Sequence, residues 1–588
     1  MNKSAWLPMG LIALAALFVA GPVLVLPPGA WYGSHDGLRY PYLLQYFARA
    51  ISAGVLYPRW LPELMGGYGY PTFVFYQPGY YYFSLPFTWV FDLLTACRAS
   101  LVAMLLIAGM GAYRLARLFH PPLLSAALAV IYLFTPYISV EIFVRGDLSE
   151  LQGMLLCPWS LYFGLCALRD HDSGKQAMRA GAGFVLTTAF LVVSHPFVAV
   201  FWLPAVLALA WVEGKQAAEK AILLVALVMV CSAPYWWTLL QLKSSVFYQG
   251  ALMGGYSPEA NFQGFFEVVG VPGFHLKFCY HAVAAIGFAL AWQEGARWRI
   301  AAVCYAIGIF MMLPLSAPLW YLLWPVLKYI QFPWRIYSVL ATLQLLAYIH
   351  LGFRFRQWHR RYPREMRLAA GIGAVWFLLL ISGPFRLLTT TEGVIRWMLP
   401  EAITWPVFRH TEPLPAISFA PLMSERERRE FVSLQMSGEF NPKTMNLHGL
   451  VNRQAKAIPP AEMNNGAGTV EVLPESTFQR LRLNVHMLRA GVLRINQFYF
   501  PGWRVEVNGD PVAWEDYAPG APQGFIAANG RIGLRFQQPG DYRVEAWYEG
   551  PPGWRARNLL MLALAAVLIG RLHKLLAGSA PFAKTSSA

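Results

Sequence analysis

The sequence predicts a polytopic α-helical membrane protein of about twelve spans with a β-sandwich domain near its C-terminal end. Its 588 residues are 57% hydrophobic and 13% charged, with a mean hydropathy of +0.41, whereas soluble domains carry about 25% charged side chains. Apolar runs of spanning length recur along the chain. Between 385 and 556 the pattern turns polar and alternates with period two. The same composition excludes a disordered chain, collagen and a small disulfide scaffold.

Each span rests on its own apolar run. The first, Trp6 to Leu26, follows a single Lys3 and is longer than a secretory h-region, so it reads as an uncleaved anchor entering from the cytoplasm. Others fall near 99–118, 122–138, 151–168, 180–195, 197–212, 219–241, 279–293, 298–314, 335–352, 368–384 and 557–576. The segment 77–96 is apolar and aromatic, yet counting it as a span would reverse every later loop. It is expected to be a juxtamembrane or re-entrant part of the first loop.

Basic residues set the orientation. Lys+Arg number 47 against 31 Asp+Glu, a formal charge of +16. In a polytopic chain that excess marks cytoplasmic loops rather than a nucleic-acid partner. Arg114 and Arg117, then Arg169, Lys175 and Arg179, then Lys215 and Lys220, then Arg297 and Arg299 fall in alternate loops. Arg354, Arg356, Arg360, Arg361, Arg364 and Arg367 fall between two spans, on the same side as Arg571 and Lys574. Both termini are therefore expected in the cytoplasm, with loop 28–98 and segment 385–556 outside. This divides the chain into a membrane domain 1–384, a mainly β extracytoplasmic domain 385–556, and a last span and tail 557–588.

Within the β segment, Leu481, Leu483, Val485 and Met487 alternate, as do Val505 and Val507, and Tyr542, Val544, Ala546 and Tyr548. Asn508-Gly509 and Pro539-Gly540-Asp541 punctuate them as turns. The charged run 424–430 reads as a solvated helix. Cys97, Cys157, Cys166, Cys231, Cys279 and Cys304 stand singly in apolar runs, without zinc spacing.

Chemistry-bearing residues cluster at the outer span ends. His35-Asp36 follows the first span, where an aspartate serves as a general base, a ligand for a divalent cation, or the cap of a helix beginning near Leu38. The same loop holds Arg59 in Tyr57-Pro58-Arg59-Trp60 and a glycine- and tyrosine-rich stretch 66–71. After the third span come Arg145, Asp147 and Glu150, with Glu141 upstream: half of an acidic site, or a structural salt bridge, the two readings standing level. Lys243, Lys328 and Arg335 face outside against the general bias. A phosphate would explain such exceptions, whereas for Lys328 headgroup anchoring is preferred. His195, between two tight spans, reads as a hydrogen-bonded helix-connecting histidine. No nucleotide-binding, zinc-protease or serine-hydrolase motif stands in a suitable context.

Taken together, Asp36, Tyr57-Pro58-Arg59-Trp60, the stretch 66–71, Arg145-Gly146-Asp147-Leu148-Ser149-Glu150, Ser194-His195-Pro196 and Gln331-Phe332-Pro333-Trp334-Arg335 resemble a bacterial membrane family labelled 6-pyruvoyl-tetrahydropterin-synthase-related. The label itself describes a small cytoplasmic zinc enzyme whose histidine trio this chain lacks. The layout is similar to GT-C superfamily glycosyltransferases, which use polyprenyl-phosphate sugars and an acidic residue in the first extracytoplasmic loop. The resemblance implies a cell-envelope enzyme of the bacterial cytoplasmic (inner) membrane, with a lipid-linked sugar donor and a glycan, lipid or protein acceptor. It implies Asp36, Asp147 and Glu150 as catalytic, and His35, Arg59, Arg145, Lys243 and Arg335 as binding substrate or phosphate. The cofactor stays open, a divalent cation on Asp36 among the options, because Gly37 stands where some relatives have a second acid. The other reading is a non-catalytic lipid- or glycan-binding assembly protein.

Overall fold

The computed structural model describes residues 6–168, 174–247, 254–270, 276–368, 370, 371, 373, 417–418, 441–443 and 459–577, the last range without 465, 478, 513, 515–521 and 528–529. Apolar runs become helices because a buried or lipid-facing backbone must satisfy its own hydrogen bonds. In order these are α1 (Trp6–Leu24), α2 (Arg39–Ser52), α3 (Gly79–Thr88), α4 (Leu93–Ala116), α5 (Pro122–Leu133) and α6 (Pro136–Ser139). They are followed by α7 (Leu148–Leu168), α8 (Gly174–Ser194), α9 (Pro196–Trp211), α10 (Lys215–Leu242), α11 (Leu276–Ala291), α12 (Ala296–Met311), α13 (Tyr337–Arg361) and α14 (Trp554–Ala577).

Among the described residues, seven helices are long and apolar enough to cross a membrane, or up to nine if each of two bent pairs is one span. They do not confirm the expected twelve. The runs at 197–212 and 279–293 form helices of 16 residues, which reach about 24 Å where the hydrocarbon core is about 30 Å thick. The run at 122–138 bends by 47° at Thr135-Pro136, because proline removes a helical donor and disfavours helical geometry before it. Most of 368–384, and the charged run 424–430, lie outside the described residues. The segment 77–96 contains the ten-residue α3, far too short to span. Asp92 then caps α4 by accepting from the backbone N–H of Leu94 and Thr95.

Helices α7 and α8 approach closely because each turns a glycine toward the other's aromatic ring. A Cβ at Gly183 would meet Phe163 at 2.6 Å, and one at Gly164 would meet Phe184 at 3.3 Å. Such small residues let apolar helices pack where lipid offers no hydrophobic drive.

The C-terminal region is two antiparallel sheets. Strands β1 (Ala461–Met463), β2 (Gly468–Val472), β3 (Arg480–Met487), β4 (Gly491–Phe498), β5 (Trp503–Val507), β6 (Asp510–Pro511), β7 (Gln523–Ile526), β8 (Arg531–Phe536) and β9 (Gly540–Tyr548) sort into the orders β6-β5-β9-β3-β2 and β7-β8-β4-β1. Asn508 and Gly509 both have positive φ, the two-residue turn that suits hairpin twist. The other punctuated turn ends earlier than its sequence suggests, since β9 already begins at Gly540.

This domain sits on the first loop. Trp60 Nε1 donates to Gln497 Oε1 at 2.8 Å, Gln497 Nε2 donates to Gly67 O at 2.8 Å, and the Phe498 N–H donates to Tyr68 O at 2.7 Å. The Trp60 ring packs among Phe500, Trp503 and Tyr548. The β domain and the first loop therefore share one side of the helical bundle.

Candidate functional site

The site is built where α6 ends. Residues Val140–Arg145 continue α6 as a wide π turn, a local unwinding that recurs at functional sites. Gly146 takes a left-handed φ of 64° and reverses the chain. Asp147 then opens α7: its Oδ1 accepts from the Glu150 N–H at 3.0 Å, which is how a carboxylate satisfies a helix's orphan donors.

These turns gather an ionic cluster. Arg145 Nη1 lies 2.6 Å from Glu141 Oε1 and 2.5 Å from Glu150 Oε2, while its Nη2 lies 3.3 Å from Asp147 Oδ2. Arg335, from the 3-10 turn before α13, brings its Nε to 3.3 Å from Glu150 Oε2, without the alignment of a hydrogen bond. His195, the residue before α9, brings Nε2 to 3.6 Å from Glu150 Oε2 and 3.9 Å from Asp147 Oδ2. Two phenols complete the set, Tyr40 donating to Asp147 Oδ1 at 2.6 Å and Tyr137 to Glu150 Oε1 at 2.8 Å. Glu141 and Glu150 are fully buried, and Arg145, His195, Asp147 and Arg335 are at most 9% exposed. Three acidic side chains and two guanidiniums thus share one water-poor environment.

Burial alone would push the Asp147 carboxyl up, but Arg145 foremost, with Arg335 and the Tyr40 hydrogen bond, holds it well below the ordinary carboxylate range. Asp147 is therefore an anion and a poor proton acceptor. Burial brings the His195 imidazole down to about 4, against the pull of Glu150 and Asp147, so it is neutral near pH 7. Burial first, then the neighbouring Asp147, raises the Tyr40 phenol and keeps it a donor.

The first loop docks on this cluster through its backbone. The His35 N–H donates to Val144 O at 3.2 Å and the Asp36 N–H to Arg145 O at 2.7 Å. Asp36 is not the cap of α2: the capping position is Leu38, with no side-chain cap. Its carboxylate lies 3.6 Å from Arg39 Nη1 and is 33% exposed, more accessible than any other acid at the site. Burial, then Arg145, lowers the His35 imidazole.

Of the residues singled out from sequence, Asp147, Glu150, Arg145 and Arg335 converge, with His35 and Asp36 at their edge. Arg59 does not join them. Its guanidinium lies 4.0 Å from the Tyr57 ring centre, on the side of the first loop that meets the β domain near Gly550. Lys243 also stands apart, exposed in the turn after α10. The sequence reading missed the place of His195 as a cluster member rather than a mere connection, it missed Tyr40 and Tyr137, and it quoted Trp334 within its motif without a place at the site. The Trp334 ring centre lies 4.9 Å from the Arg145 guanidinium carbon. Glu141 and Arg145 stand at the i,i+4 spacing that helical pairing requires, whereas Tyr40 carries no local signal.

Asp147, Glu150 and His195 offer ligand atoms within 4.8 Å of one another, the donor types a divalent cation takes. The fit is poor. Arg145 and Arg335 already occupy the same carboxylate oxygens with positive charge, so an ion would enter only by displacing a guanidinium. Asp36 is not in the ligand set.

No family model matches this chain, and no curated protein does. The likeness to the 6-pyruvoyl-tetrahydropterin-synthase-related family thus has no support beyond the residues that suggested it. Among solved structures the chain is similar to the crystal structure of ArnT from Cupriavidus metallidurans in the apo state, with 14% identity and a TM-score of 0.42, covering 66% of this chain. The match spans 65% of that protein's length.

Proposed function

We propose that this protein is a GT-C-like glycosyltransferase of the bacterial cytoplasmic membrane, moving a sugar from a polyprenyl-phosphate carrier to an extracytoplasmic acceptor. One observation carries the reading: a buried carboxylate–guanidinium cluster at the mouth of the bundle, with an accessible aspartate of the first loop pinned against it. In such a transfer the acceptor hydroxyl attacks the anomeric carbon, the bond to the phosphate oxygen breaks, and the polyprenyl phosphate departs. Asp36 suits the general base, because it is the most solvent-accessible acid at the site and a base must reach the acceptor hydroxyl. Asp147 and Glu150 supply carboxylate oxygens that stabilise a sugar ring turning cationic at the transition state. Arg335, which lacks an aligned acceptor on its Nε, takes the phosphate, assisted by Arg145. Arg59 and Lys243 enter no step.

The alternative is a non-catalytic lipid- or glycan-binding assembly protein, favoured by the completeness with which Arg145 is already paired. The test is turnover. The full chain in nanodiscs is given undecaprenyl-phosphate-linked radiolabelled hexoses and pentoses together with envelope lipid extract. Transfer by wild type, lost by about 10²-fold or more in Asp36→Asn and Asp147→Asn, supports the enzyme. Carrier binding without turnover supports the assembly protein, and full activity in both variants removes the proposed site.

A further inference from the structure

Behind the cluster lies a cavity of about 100 Å³, several times the 10–15 Å³ or so that one water needs. It shares walls with the cluster: Arg145, Trp334 and Tyr137 line both. From these walls we infer that the cavity receives the sugar ring of the donor. The inference rests on the transferase reading and deepens it.

Two properties of the lining select a neutral polyhydroxylated ring. The first is a mixture of flat aromatic faces, those of Tyr137, Tyr280, Trp334 and Tyr337, with directional polar groups. His281 Nδ1 lies 2.5 Å from Tyr305 Oη and 3.4 Å from Gln344 Nε2. With Nδ1 engaged, the imidazole has Nε2 left for a partner, and Gln344 has its carbonyl oxygen; neither atom makes a hydrogen bond to the described residues. An isoprenoid chain placed here would bury these groups uncompensated, which is costly, whereas ring hydroxyls would satisfy them.

The second property is charge balance, which argues against a free anion. Lys277 Nζ donates to the Glu267 backbone oxygen at 2.6 Å, and Glu267, whose carboxylate accepts from Gln263 Nε2 at 3.0 Å, lines the same cavity, so this wall carries one side chain of each sign. Arg145 faces three carboxylates of its own. The cavity thus offers apolar faces and a few fixed hydrogen-bonding groups, the general composition of a small-molecule site.

The experiment compares farnesyl phosphate with farnesyl-phosphate-linked glucose, galactose and arabinose, binding each to the full chain in nanodiscs. Gln344→Leu and His281→Phe remove a directional group while keeping bulk, and neither residue belongs to the ionic cluster. Each variant is expected to weaken at least one glycosylated carrier by about tenfold, the worth of a lost buried hydrogen bond, and to leave farnesyl phosphate unchanged. Thermal unfolding shows that each variant is folded, and either one alone suffices. If glycosylated carriers bind wild type and both variants equally, or if farnesyl phosphate weakens in parallel, the cavity is not the sugar subsite although the transferase reading stands. If no carrier binds wild type, the transferase reading fails and takes this inference with it.

Discussion

Replacing Arg145 by methionine tests whether the ionic cluster is as interdependent as its distances imply. At 2.5–2.6 Å and an effective dielectric constant of ~20, each close carboxylate contact is worth about 6 kcal/mol of Coulomb energy. Desolvation of several kcal/mol per ion opposes this. Breaking a buried pair by removing one partner leaves the opposite charge stranded, at a cost of about 3–5 kcal/mol. Here Glu141, Asp147 and Glu150 would be left with Arg335 alone, 3.3 Å from Glu150. Against a total stability of about 5–15 kcal/mol, that is a large fraction. The assay is equilibrium unfolding in detergent titrated with SDS and followed by far-UV circular dichroism. It compares wild type, Arg145→Met, Glu150→Gln and the double variant. The second substitution removes one stranded charge, so the double variant should be more stable than the sum of the singles, with a coupling of about 0.5–3 kcal/mol. The pair Arg49–Glu63, at 3.2 Å and largely exposed, is the control, and Arg49→Met should change stability by less than about 1 kcal/mol. If Arg145→Met lost no more than that control, or the cycle were additive, the cluster would be a loose collection of independent pairs.

Three further outcomes follow from the geometry. Gly146→Ala would place a Cβ 2.1 Å from Ser34 Oγ and 2.6 Å from the Gly37 backbone nitrogen at a residue with positive φ. It should push the Asp36 loop off Arg145 and lower transfer by about 10²-fold with the bundle intact, and an unchanged rate would refute a docked loop. Because the His195 pKa is about 4 in the folded chain and about 6.5 unfolded, the unfolded state binds more protons between those values. Stability should therefore fall as pH drops from about 6.5 to about 4, by roughly 3 kcal/mol; His195→Gln should flatten this window, and an identical pH profile in the variant would contradict a buried neutral imidazole. Since guanidiniums occupy the carboxylate oxygens that a metal would need, treatment with EDTA should leave transfer within about twofold of the untreated protein, and abolition restored by added Mg²⁺ or Mn²⁺ would overturn that assignment.

The positions of the helices and strands were legible in the sequence because their signals are local. An apolar run must satisfy its backbone within itself, so Trp6–Leu24 and Leu148–Leu168 declare themselves without reference to anything else. Alternation at Leu481–Met487 and at Tyr542–Tyr548 marks strands that pair as β3 and β9 for the same reason. Length and bending were less legible. Nothing within 122–138 alone states that the break at Pro136 is followed by a π turn, since that turn, Val140–Arg145, and the Asp147 and Glu150 that Arg145 meets lie beyond the run.

Composition and pattern thus determined by themselves that this chain is mainly helical, apolar enough for a membrane and carries paired strands before its last helix, because hydropathy and periodicity are sums over neighbouring residues. Only the tertiary structure decided which charges meet. It brought Tyr40, Tyr137, His195 and Arg335 to one end of the bundle and sent Arg59 to the β domain and Lys243 to the surface. Pairing of buried charges depends on distances of a few ångströms between segments far apart in the chain, and these are set by the packing of helices rather than by any property of the residue itself.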